Sequence, residues 1–88
     1  MIPPNLHALF WDVNLDSFDP QAHTEYTIAR VLELGDEEAV AWMRREFPES
    51  SIKAVLCSER RLSRKSANFW ALVFGVPADE VAALERSR

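Results

Sequence analysis

Leu62-Ser63-Arg64-Lys65-Ser66-Ala67-Asn68-Phe69-Trp70-Ala71-Leu72-Val73-Phe74-Gly75 decides how this chain folds. The stretch begins polar and basic, then turns apolar on almost every side. Ser63 is placed to cap a helix, because its hydroxyl can accept a hydrogen bond from an orphan amide of the first turn. Gly75 is placed to end it, since glycine enters the left-handed conformation without a steric cost. Between them, Ala67, Phe69, Trp70, Ala71, Leu72, Val73 and Phe74 leave little room for a polar stripe. A helix apolar all round belongs inside something. The spacing predicts a central post with the other elements packed around it.

Working outward, Ser50 or Ser51 is expected to cap a preceding helix that turns Ile52, Val55 and Leu56 inward. Before it, Asp36 opens a helix with Glu37 and Glu38 at the favourable end of the dipole, and Pro48 stops it. Val40, Met43 and Phe47 share one face of that helix, with Trp42 adjacent. Asp19-Pro20 reads as the start of the first long helix, which carries Ile28, Val31 and Leu32 and ends at Gly35. Residues 1–18 read as a docked N-terminal turn around Leu9, Phe10 and Trp11, followed by a polar loop. After Gly75, Val76-Pro77 is expected to open a last helix with Val81 and Leu84 inward, and residues 85–88 read as a frayed tail. No period-2 alternation is sustained. The expectation is all-α: one domain over residues 1–88, a bundle of four main helices with a docked N-terminal turn.

Eighty-eight residues bury only about 60–65% of their unfolded surface, so the core needs every aromatic it has. A small core of this kind is also one that association can complete. The single Cys57 cannot form an internal disulfide, and the start of the chain has no basic, apolar leader pattern. A reduced, cytoplasmic setting is expected, and no apolar run approaches the ~20 residues of a membrane span.

The net charge of −4 is unevenly spread. Residues 1–43 carry −7, residues 44–65 carry +4 and residues 66–88 carry −1. The basic centre from Met43 to Leu56 has the outline of a helix-turn-helix. Such a unit would put Ser50, Ser51 and Lys53 toward base edges, with Arg60, Arg61, Arg64 and Lys65 on phosphates. The overall acidity and Glu49 oppose DNA binding. The acidic half offers the converse surface: Asp12, Asp36, Glu37 and Glu38 could steer the chain into the basic cleft of a partner protein.

Catalysis finds no support. His7 and His23 have no partner ligand at metal spacing, and Asp12, Asp16 and Asp19 lack the glycine and terminal glutamate of a calcium loop. Ser50, Ser51, Ser58, Ser63 and Ser66 fall near helix ends, where capping explains them. Two glycines cannot build a phosphate-cradling loop. No catalytic residue, metal or cofactor is expected.

Phe10-Trp11-Asp12-Val13, Arg30-Val31-Leu32-Glu33-Leu34-Gly35, Arg61-Leu62-Ser63-Arg64-Lys65 and Asn68-Phe69-Trp70 together resemble a family of short, uncharacterised bacterial proteins. Its members read roughly FWDVD, RVLExG and LSxKxxxFW in that order. The resemblance spans about residues 3–76, with Asn14 standing where that family often has an acid. Members are often encoded beside nucleotidyltransferase-like toxins of the AbiEii kind. The resemblance therefore implies an antitoxin-like or accessory partner, and it carries over no catalytic residues. Trp11, Asp12, Glu37 and Glu38 are the expected contacts. The alternatives are a helix-turn-helix autorepressor and a structural homodimer packed through Phe10 and Trp11 across a two-fold axis.

Overall fold

The computed structural model describes residues 7, 9, 10 and 19–84. Four α-helices make up most of them: α1 (Thr24–Leu34), α2 (Glu37–Glu46), α3 (Glu49–Ser58) and α4 (Arg64–Phe74). Two short 3-10 turns follow, Ala78–Glu80 and Ala82–Leu84, and no strand occurs among the described residues. The fold is all-α. His7, Leu9 and Phe10 lie in a 3-10 turn. The rest of the N-terminal segment, with Trp11 and the aspartates of the loop before Asp19, lies outside the described residues, as does the tail 85–88.

The central post is α1, not α4. It packs against α2, α3 and α4, and Ile28 and Val31 on its inner stripe are fully buried. One core joins all four helices with Phe10 and Val81. The helix begins later than Asp19-Pro20 suggests. Residues 20–23 form a turn, with the amides of Ala22 and His23 donating to the Asp19 carbonyl and that of Gln21 to its carboxylate. Buried Thr27 braces this turn, its hydroxyl lying 2.9 Å from the His23 carbonyl and 3.2 Å from that of Pro20.

Gly35 ends α1 in extended backbone (φ −74°, ψ 149°), so the left-handed region is not what it supplies. It supplies space, because a Cβ there would lie 2.7 Å from the Val31 carbonyl oxygen and 3.0 Å from the Ala39 Cβ. Asp36 then caps α2, its carboxylate accepting from the Ala39 amide at 3.0 Å. Pro48, rather than Ser50 or Ser51, holds the N-cap position of α3, whose first turn starts at Glu49. The amides of Ser51 and Ile52 bond the Pro48 carbonyl instead of a serine hydroxyl.

Ser63 caps α4 through the Ser66 amide at 3.1 Å, and Gly75 closes it at φ +65° with the Val76 amide on the Ala71 carbonyl. After Pro77 no single helix forms. Val81 sits in extended backbone (φ −102°, ψ 113°) between the two 3-10 turns, and that break lets it reach the core, where it is 1% exposed.

Candidate functional site

Two bonds fasten α4 to the end of α1. The Ser63 amide donates to the Glu33 carboxylate at 2.9 Å, and the Trp70 indole donates to the Leu32 carbonyl at 2.8 Å. At the other end the Arg44 guanidinium of α2 lies 5.2 Å from the centre of the Phe74 ring. The head of α4 therefore sits at the C-terminus of α1, and its last residue lies near the last turn of α2. The C-terminus of α1 and the N-termini of α2 and α4 gather at one end of the molecule.

Anchoring one side of α4 leaves the opposite side bare. Ala67, Trp70, Ala71 and Phe74 are buried at i, i+3, i+4 and i+7. Phe69, Leu72 and Val73 point away, 55%, 78% and 47% exposed. Phe69 stands edge-on to Trp70, centroids 4.9 Å apart. Lys65 and Asn68 are exposed on the same outer side. Scattered apolar residues on a surface are ordinary, whereas these three share one helical face. Sequence reasoning missed this face by reading the helix as apolar all round. The two alanines were the available signal, since small residues mark the side where another helix approaches.

Of the expected partner contacts, Trp11 and Asp12 lie outside the described residues. Glu37 and Glu38 are exposed in the first turn of α2, next to the capping Asp36. Phe10 is fully buried against Tyr26, so it packs within its own chain rather than across a two-fold axis. Arg30 holds this segment, donating to the Leu9 carbonyl at 3.0 Å and to the Tyr26 hydroxyl.

The basic residues do not gather into one free surface. Lys53 pairs with Glu49 at 3.2 Å, and Arg44 approaches the same carboxylate at 3.9 Å. Arg61 pairs with Glu59 at 2.8 Å. The Arg61 side chain donates to the Glu59 carboxylate and holds it below the ordinary glutamate value of 4.5, partly offset by desolvation. Ser50 and Arg60 are exposed, and Ser51 is half-buried. Arg64 and Lys65 are exposed in the first turn of α4.

An open-sided cleft of about 190 Å³ is lined by Tyr26, Arg30, Glu33, Leu34, Glu59 and Arg61. It is below the ~300 Å³ at which small-molecule sites begin. Its charged groups are already engaged with each other or with the backbone. Among the described residues no three His, Cys, Asp or Glu side chains are grouped to hold a metal ion, and no helix is long and apolar enough to cross a membrane.

A family model described as a family of unknown function, DUF6922, matches residues 5–56, from the N-terminal segment into α3. No curated protein and no solved structure matches the chain.

Proposed function

The chain belongs to DUF6922, a family of unknown function, and we propose that it is a non-enzymatic binding protein, antitoxin-like, the small partner of a nucleotidyltransferase-type toxin. The observation that carries the binding role is the bare apolar face of α4. A domain this small that leaves Phe69, Leu72 and Val73 in water is built to work in an assembly. The kind of partner comes from the family resemblance of the four motifs. The contact proposed for the toxin is the acidic turn at the start of α2, where exposed Glu37 and Glu38 would enter a basic substrate groove and cover it.

The experiment is co-expression with the product of the adjacent gene, followed by size-exclusion chromatography with light scattering. A co-eluting complex is expected, and Glu37→Lys with Glu38→Lys should weaken it and reduce its salt dependence. Separate elution, or a complex indifferent to the charge reversal, removes the toxin-groove reading. Helix-turn-helix DNA binding has less support. The tight Phe47–Pro48 connection between α2 and α3 favours it, but Glu49 neutralises the head of α3 through Arg44 and Lys53.

A further inference from the structure

The exposed face of α4 is headed by bases and followed, past the end of the helix, by acids, an order that a reversed copy of the chain would match. We propose that a second copy of this chain covers it, the two α4 helices lying antiparallel about a two-fold axis close to Leu72. Lys65, Phe69 and Leu72 fall on one helical face at i, i+4 and i+7, with Val73 beside them. Arg64 and Lys65 fill the first turn, and neither has an ion-pair or hydrogen-bond partner among the described residues. Both oppose the dipole of their own helix, whose N-terminal end is positive.

Just past the other end of α4, Asp79 and Glu80 are exposed in the first 3-10 turn and are likewise without ion-pair partners. Within one chain these bases and acids sit at opposite ends of the helix. An antiparallel copy brings them together. Arg64 and Lys65 of each chain then lie beside Asp79 and Glu80 of the other, and beside the negative end of the other α4. The two-fold axis makes this contact twice, with the leucines and phenylalanines between. The inference rests on reading α4 as a binding face. It leaves Glu37 and Glu38, on α2, to meet a different protein.

The test is light scattering on the full chain alone across a concentration series. A dimer mass is expected, and Leu72→Glu should give monomer with unchanged helical circular dichroism. The pair Arg64→Glu with Lys65→Glu, and the pair Asp79→Lys with Glu80→Lys, should each weaken association by roughly tenfold or more, because like charges then face each other. Mixing the two variants should restore the dimer, since both junctions become attractive again. That recovery also shows that neither variant was monomeric through misfolding. A wild-type chain that stays monomeric, a dimer that Leu72→Glu leaves intact, or no recovery on mixing overturns the proposal. The toxin reading is judged separately, by the co-expressed complex and its response at Glu37 and Glu38.

Discussion

An alanine at position 35 and one at position 75 would fail for different reasons. At Gly35 the backbone is ordinary but the space is taken, with Val31 and Ala39 atoms within 3.0 Å of a Cβ. The last turn of α1 at Val31 and the start of α2 at Ala39 would both have to give, a loss of ~1–3 kcal/mol. At Gly75 nothing lies within 4 Å, and the cost is the left-handed backbone alone, ~1–2 kcal/mol. Urea unfolding should show both variants with lowered midpoints at unchanged slope, Gly35→Ala the lower. The roles of Ser63, Gly75 and Asp36 were legible because capping is chemistry between near neighbours in sequence. That Gly35 stops a helix was also legible, but the reason was not, because the crowding by Val31 and Ala39 depends on how the backbone passes from α1 into α2. Ser50 and Ser51 misled for a related reason. They have the right chemistry for a cap, but the extended backbone at Pro48 starts α3 two or three residues earlier.

Element by element, α4 shows how far periodicity goes. Its caps and length could be read directly, yet the helix is two-sided, and only the positions of its alanines hint at which side is inner. Its two faces should separate in measurement. With the chain dilute enough to be monomeric, Leu72→Ser should change stability by no more than about 0.5 kcal/mol, because an exposed side chain loses little. Trp70→Phe should cost about 1–3 kcal/mol, because it leaves the buried Leu32 carbonyl without its donor. Comparable losses at the two positions would mean that the faces are misassigned. The segment after Gly75 was read as a helix because Pro77, Asp79 and Glu80 make a good helix start. Burial of Val81 overrides that local preference and splits the segment into two turns.

For the whole molecule, the fold class followed from helical spacing and short capped connections, and the structure agrees. The candidate site did not follow in the same way, because surfaces that bind proteins carry no motif with a fixed spacing. Charge was legible as a sequence total but not as a surface. Arg44, Lys53 and Arg61 of the apparent basic patch are spent on neighbouring acids, and Glu59 with Arg61 is the clearest case. That pair also sets a dependence on acid. Because the folded state holds the Glu59 carboxyl below 4.5, the stabilisation is complete above that value and is lost as pH falls through the lower folded value. Thermal midpoints of Glu59→Gln should therefore fall less steeply than those of the parent below about pH 4.5, and identical slopes would show that the pair contributes nothing. The contact between Phe69 and Trp70 has a consequence of another kind. The indole is rooted in the core by its bond to Leu32 and touched from outside by a ring that faces water, so its fluorescence is wired to the surface of α4. Whatever settles on that helix has to move or shield Phe69, and the molecule would announce its own occupancy as a change in emission, with no label attached.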